Sequence, residues 1–375
     1  MQYSIEDLVR LARRDNNPIR PYLYVNPLQG KHIPTRPEET LGMCKKLAEI
    51  VNAAHPVDKL FVIGFAETAT GIASATCCYL DNVVYYQNTT REFKIDDEYL
   101  YFTESHSHAT DQMLRSKGLA GIISEVNRII FIDDEVTTGN TICKLVNVIK
   151  REYAIEGLKF SIVSILNSMT QERIRELREH GIDCLYLAEL PFEYKKDSIM
   201  SIEYDSEKET ANSPTQYGRY NTLIFDAEVN TRSVTRFDKY LAENLRFTLA
   251  VEDELLNNHF GKLLVLGTEE FMFPAIYLGN YLREKGVADE VMTHATTRSP
   301  IFASGKKGYP LFHRYQIKSL YDDARNTYIY NLEKYDKVII VTDAENIGVG
   351  AKDLLCVLKS IGNENIMIAQ WRYNK

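Results

Sequence analysis

The segment FIDDEVTTGNT, Phe131 to Thr141, gathers two aspartates, three threonines, an asparagine and a glycine between a short apolar run and the helical pattern ICKLVNVIK. Its order is strand, carboxylates, hydroxyls, glycine, helix. Thr137, Thr138, Gly139, Asn140 and Thr141 are expected at a helix N-terminus, where backbone N–H groups and the positive end of the dipole attract a phosphate and threonine hydroxyls add donors. Gly139 is expected to let the backbone approach that anion with no Cβ in the way. Asp133 and Asp134, at the carboxyl end of the strand, suit hydrogen bonds from vicinal hydroxyls such as those of a ribose. One segment therefore has the chemistry to hold both ends of a ribose 5-phosphate.

Such a loop needs a sheet behind it. Short runs rich in β-branched residues, LFVIG (60–64), VVYY (83–86), RIIFID (128–133), FSIVSIL (160–166), LLVLG (263–267), VMTHA (291–295) and KVIIVTD (337–343), alternate with helical patterns. Buried parallel strands with crossover helices read this way, so the expected class is α/β. Between 191 and 221 the chain turns polar and irregular, which predicts domains at 1–200 and 222–375 joined by a linker at 201–221. An internal repeat points to two copies of one fold. KLFVIGFAET from Lys59 answers KLLVLGTEEF from Lys262, and NTTRE around Arg91 answers ATTRS around Arg298. IIFIDDEVTTGN answers VIIVTDAENIGVG, aligning Asp134 with Asp343 and Gly139 with Gly348.

The 375 residues suit two cores at roughly 100 to 200 residues per domain. With 45% hydrophobic and 26% charged residues, disordered and fibrous classes are excluded. A net charge of -8 disfavours a nucleic-acid binder with a broad basic face, though it allows a local basic pocket. The six cysteines lack paired metal spacing and read as reduced, mostly buried thiols. The charged N-terminus is unlike a signal peptide and no run approaches the ~18 apolar residues of a membrane span, so a cytoplasmic protein is expected.

The motif from Asp133 to Thr141 resembles the signature of type I phosphoribosyltransferases, in which two acidic residues precede a threonine- and glycine-rich phosphate loop. The wider chain resembles an orotate-phosphoribosyltransferase-like domain joined to a TRSP domain, found in bacterial tellurite-resistance and stress-response gene clusters. The tetrapeptide naming the latter stands here as Thr297, Arg298, Ser299 and Pro300, and VNPLQGKHIP (25–34) and FTESHSHATDQ (102–112) resemble that family too. The resemblance implies two tandem Rossmann-like type I phosphoribosyltransferase folds, parallel sheets flanked by helices, the second copy degenerate. It implies a pentosyltransferase that moves ribose 5-phosphate from phosphoribosyl pyrophosphate to a nucleobase-like acceptor with inversion and loss of pyrophosphate, making a nucleotide- or nucleoside-like product. Mg2+ is the implied cofactor, held mainly by substrate oxygens and by Asp133 and Asp134. A homodimer is the candidate assembly, since related folds commonly dimerise.

Further roles follow from the same resemblance. Ala66, Glu67 and Thr68, after LFVIG, match the loop that receives pyrophosphate, although Glu67 is an awkward neighbour for a polyanion. Arg91 is a candidate to pair with pyrophosphate oxygens in a fork. Thr103 to Gln112 corresponds to the loop that closes over substrate; there Glu104, His106 and His108 read as catalytic groups of a lid, as ligands of a metal, or as a solvated loop. Lys31 and His32 are acceptor-binding candidates from the hood over the base, or parts of a polar turn.

Two departures matter. Thr137 stands where purine-salvage relatives commonly carry an aspartate, which resembles the orotate branch without establishing orotate. In the second copy Thr342 replaces Asp133, and Asn346 and Ile347 replace the two threonines, so binding of phosphoribosyl pyrophosphate there is not expected. Instead Thr297, Arg298, Ser299, Lys306, Lys307, His313 and Arg314, with Asp343, are candidates for a separate anion site, against the alternative of a basic surface loop. Two other functions compete with the transferase: a non-catalytic sensor of phosphoribosyl pyrophosphate or nucleotides, and a phosphoribosyl pyrophosphate synthetase-like enzyme. The synthetases keep the intact phosphate loop in their second copy, whereas here it is in the first.

Overall fold

The computed structural model describes residues 3–15, 17, 20–102, 112–190, 199, 201–203, 205–211, 220–256 and 258–373. Its elements run α1 (Ile5–Leu8), β1 (Arg10–Arg13), β2 (Tyr22–Val25), α2 (Pro37–Ala54), β3 (Leu60–Gly64), α3 (Ala69–Cys77), β4 (Val83–Asn88), β5 (Tyr99–Tyr101) and β6 (Met113–Arg115). Then come α4 (Leu119–Ile123), β7 (Arg128–Val136), α5 (Asn140–Tyr153), β8 (Lys159–Asn167), α6 (Gln171–Glu179), β9 (Ile182–Glu189), β10 (Glu209–Ala211), β11 (Asn221–Ala227) and β12 (Thr235–Arg236). The rest are α7 (Phe237–Glu254), β13 (Phe260–Gly267), α8 (Phe273–Glu284), β14 (Ala288–Ala295), β15 (Arg314–Lys318), β16 (Asn326–Tyr330), β17 (Lys337–Thr342), α9 (Gly348–Ser360) and β18 (Ile366–Tyr373).

The chain forms two compact units. The first comprises Leu41–Phe192 with Glu228–Glu243, and the second Met1–Thr40, Glu193–Ala227 and Asn244–Lys375. This differs from the linear division expected at 1–200 and 222–375. Residues before Leu41 go with the second unit because Thr35 exchanges backbone hydrogen bonds of 2.9 and 2.8 Å with Thr293. Residues 228–243 go with the first because β12 pairs with β4 and Tyr240 stacks on Tyr86 with centroids 5.6 Å apart.

In the first unit six strands lie in the order β12-β4-β3-β7-β8-β9, all parallel except β12. β3 is buried at every position, as a strand covered on both faces must be. Ile142, Leu145, Val146 and Ile149 of α5 recur at helical spacing and bury one stripe against a core that includes Ile129, Phe131, Phe160 and Ile162. Each such side chain contributes about 1.5–3 kcal/mol by leaving water. Lys150 and Arg151 in the last turn suit the helix dipole.

The second unit has a five-stranded parallel sheet in the order β11-β18-β17-β13-β14. The run β14-β13-β17-β18 repeats β4-β3-β7-β8, and an antiparallel hairpin, β15/β16 here and β5/β6 there, intervenes at the same point of each chain half. The expected α/β class with parallel sheets and flanking helices therefore holds in both units. None of the six cysteines is in a disulfide, and four of them are buried. Among the described residues no helix is long and apolar enough to cross a membrane.

Candidate functional site

Three loops leave the carboxyl ends of adjacent parallel strands β4, β3 and β7, the edge where α/β sheets bind ligands. β7 runs further than its apolar residues suggest, through the acidic residues to Val136, because Asp133, Glu135 and Val136 keep their pairing with β8. Asp133 accepts the Asp134 N–H at 2.9 Å, and both are half-buried. Burial first, then the adjacent Asp134 charge, pushes the Asp133 carboxyl well above the usual carboxylate range, with Glu135 adding to the effect. Glu135 is a third carboxylate that the two-aspartate motif did not single out.

Thr137, Thr138, Asn140 and Thr141 are exposed at the start of α5, and the Thr138 hydroxyl accepts the Asn140 N–H at 3.3 Å. Gly139 also has a structural role beside the one expected. Its φ of +70° is a left-handed cap, and a Cβ there would meet Ile162 Cδ1 at 3.3 Å and Met169 Sδ at 3.5 Å, so the missing side chain faces the apolar core. Glycine is required for the turn and its packing.

The loop after β3 is pinned from several sides. Phe65 N–H donates to the Ile132 carbonyl at 2.9 Å, which ties it to β7 just before Asp133. Ala66 N–H donates to Thr89 Oγ1 at 2.8 Å, and Gln112 Nε2 donates to the Ala66 carbonyl at 2.9 Å. The Ala66–Glu67 peptide is cis, and Thr70 Oγ1 donates to the Glu67 carbonyl at 3.0 Å. Glu67 and Thr68 are half-buried. Arg91, also half-buried, follows Thr90, whose backbone bridges to Met113 of β6. Glu104, His106 and His108 lie outside the described residues.

Arg173 of α6 is a residue that sequence reasoning missed. Its Nε donates to the Thr138 carbonyl at 3.0 Å, its Nη2 to Asn140 Oδ1 at 3.0 Å, and Glu176 holds Nη1 at 2.7 Å. No local signal relates a charge in QERIRELRE to a loop in another element.

The remaining candidates fall in the second unit, where they do not form one cationic site. Lys31 is fully buried and donates to the Glu269 and Thr296 carbonyls at 2.8 and 2.9 Å, leaving none of its surface to meet an acceptor. His32 is buried, its ring 6.2 Å from that of Tyr330. Arg298 pairs with Glu269 at 2.6 Å and Glu270 at 3.4 Å. Buried Thr297 accepts the N–H of half-buried Ser299 at 3.2 Å. Arg314 is buried between Asp15 at 3.0 Å and Glu209 at 2.5 Å, with the Tyr328 ring beneath it. Lys306 and Lys307 are exposed, the former bonded to Ser201, and His313 stacks on Tyr315 at 4.4 Å. Asp343 accepts the Tyr321 hydroxyl at 2.7 Å. The two arginines expected to attract an anion are thus already neutralised, Arg298 by buried Glu269 and Glu270 and Arg314 by half-buried Asp15 and Glu209.

A family described as phosphoribosyl transferase matches residues 8–188, and one described as the TRSP domain C-terminal to it matches 228–358. No curated protein matches the chain. Similar solved structures include adenine phosphoribosyltransferase from Rhodothermus marinus, at 14% identity and TM-score 0.34 over 50% of this chain and 96% of that one. The enzyme of Leishmania tarentolae gives 16% and 0.36 over 49% and 85%. That of Trypanosoma brucei, in complex with AMP, pyrophosphate and ribose-5-phosphate, gives 15% and 0.34 over 54% and 88%. The two family matches, in this order along the chain, show the family: this chain belongs to the family in which a phosphoribosyl transferase domain is followed by a TRSP domain.

Proposed function

We propose that the chain is a Mg-dependent transferase that moves ribose 5-phosphate from phosphoribosyl pyrophosphate to a nucleobase-like acceptor, in the first unit. The observation that carries this reading is the convergence of Asp133–Thr141, Ala66–Thr68 and Thr89–Arg91 at the carboxyl ends of three neighbouring strands, with Phe65 bonded directly to Ile132. Exposed Thr137, Thr138 and Thr141, with the α5 N-terminus, hold the 5-phosphate. Asp133 and Asp134 accept the ribose hydroxyls, and their charge favours the cationic, oxocarbenium-like ribose at the transition state. Backbone groups of 66–68 and the Arg91 guanidinium take the pyrophosphate. The anomeric C–O bond breaks with its electron pair leaving on pyrophosphate, an acceptor nitrogen bonds the opposite face, and the proton of that nitrogen passes to the departing pyrophosphate or to water.

The oxygen donors beside the ribose position fit Mg2+. Asp133, its carboxyl pushed up by burial and by Asp134, is a group whose ionised form a divalent cation would stabilise. Among the described residues no group of three or more His, Cys, Asp or Glu is set to hold a metal. When bound, the ion neutralises the departing pyrophosphate. The family resemblance supports a bacterial stress-response pathway with a nucleotide- or nucleoside-like product, and a cytoplasmic setting.

Calorimetric titration of Mg–phosphoribosyl pyrophosphate into wild type and into the Asp133→Asn, Asp134→Asn variant tests this reading. Binding by wild type that the variant loses is expected, followed by pyrophosphate release with a nucleobase acceptor. Binding without release for any acceptor would favour a sensor, and no binding to folded wild type would reject the reading.

A further inference from the structure

The two sheets share more than strand order. Thr89 N–H donates to the Gly64 carbonyl at 2.9 Å, and Thr296 N–H to the Gly267 carbonyl at 3.1 Å. Thr89 Oγ1 accepts from Ala66 N–H, and Thr296 Oγ1 accepts from Glu269 N–H at 3.0 Å. Thr90 bridges to Met113 of the β5/β6 hairpin, and Thr297 to Tyr328 of the β15/β16 hairpin. Glu269 therefore occupies the place of Ala66 in the pyrophosphate loop, Asp343 that of Asp134, and the N-terminus of α9 that of α5.

All three places are engaged by one short turn, Ser319 to Arg325, between β15 and β16. The Glu269 carboxylate, almost fully buried, accepts Ser319 Oγ and Arg325 Nη2, the latter at 3.0 Å, besides Arg298. The Tyr321 hydroxyl donates to Asp343 at 2.7 Å and lies 2.8 Å from Thr268 Oγ1. Asp323 Oδ1 accepts the Val349 N–H at 3.3 Å, in the first turn of α9. Two glycines of this copy fit the same turn. A Cβ on Gly348 would lie 3.1 Å from Asp323 Oδ1, and one on Gly350 would strike the Ser319 carbonyl at 2.3 Å. The turn is itself rigid: Ser319 N–H donates to the Arg325 carbonyl at 2.9 Å, and Ser319 Oγ accepts from Tyr321 N–H at 3.0 Å and Arg325 Nη2 at 2.9 Å.

We propose that the turn 319–325 is a built-in occupant of the second unit's ligand cradle, with a carboxylate in the place of a phosphate, a phenol in the place of a ribose hydroxyl and an ion-paired Glu269 where pyrophosphate would lie. A phosphorylated ligand entering there must displace the Asp323 carboxylate and meet Glu269 and Glu270, both buried acids. The second unit is in this way closed to phosphoribosyl pyrophosphate by its own chain. The inference takes its three places from the ligand roles proposed for the first unit and from the correspondence of the two sheets, while its test reads the second unit alone.

Hydrogen exchange at the Val349 amide, with inorganic phosphate as the probe and the full chain as the sample, tests it. In wild type, phosphate should leave that exchange unchanged. In Asp323→Ala, exchange should rise about fivefold or more, the effect of losing an acceptor at a helix N-terminus, and added phosphate should slow it again. Asp323→Asn, which keeps an oxygen of the same reach, should stay near wild type. Slowing of Val349 by phosphate in wild type, unchanged exchange in Asp323→Ala, or acceleration that phosphate does not reverse would each overturn the proposal. None of these readouts involves residues 66–68 or 133–141, so failure of the transferase reading leaves the result interpretable.

Discussion

The Arg173 guanidinium donates to the Thr138 carbonyl at 3.0 Å, so the loop proposed to hold the 5-phosphate is braced by a side chain from the next helix. A second bond to Asn140 Oδ1 fixes the residue that opens α5. Arg173→Ala should raise KM for phosphoribosyl pyrophosphate about tenfold with a smaller change in kcat, since the loop loses its preset geometry while the reacting groups remain. Arg173→Lys, with one donor head in place of a fork, should recover part of that loss. Equal falls in kcat and kcat/KM with KM unchanged would reject a positioning role.

The paired threonines allow the two units to be told apart. Thr89→Val and Thr296→Val each leave a buried backbone N–H without its acceptor, at a cost of about 1–3 kcal/mol to the unit concerned. Denaturant unfolding should register both losses. Pyrophosphate release should fall only in Thr89→Val, whose loop is proposed to meet substrate; comparable loss in Thr296→Val would place the second unit in the reaction.

Gly139→Ala is expected to act on folding as well as on binding. A left-handed φ and a Cβ pressed toward Ile162 should together cost about 1–3 kcal/mol in the first unit. Urea unfolding measures this without any ligand. A variant of wild-type stability that binds substrate weakly would restore the view that glycine serves only the approach of the anion.

His294 sets a pH dependence in the second unit. The ring is buried, and burial first depresses its pKa to about 4, with Lys31 acting in the same direction, against hydrogen bonds with the Tyr330 and Gly30 carbonyls that favour the charged form. A folded pKa below the unfolded value means that the unfolded chain binds more protons between the two. The stability is thus complete above about pH 6.5 and declines as pH falls toward 4, by roughly 3 kcal/mol for this group. Unfolding midpoints at pH 7.5 and 5, compared with those of His294→Gln, should show a smaller pH effect in the variant. An equal effect in both would remove His294 as its source.

Much of the architecture is local and was legible in the residues. The apolar run before Asp133 and the helical stripe Ile142, Leu145, Val146 and Ile149 define a strand, a loop and a helix without reference to the rest of the chain. The repeat around Thr89 and Thr296 was legible for the same reason, as both copies need a hydroxyl at the end of an apolar strand. Other facts depend on partners far apart in sequence, which no periodicity encodes. Thr35 pairs with Thr293 and Tyr86 stacks on Tyr240, and these contacts decide which unit holds the first forty residues and which holds 228–243. Arg298 looked like an anion-binding arginine until Glu269 and Glu270 were brought beside it, because the composition of a loop reveals its charge and only tertiary packing decides which charges neutralise one another.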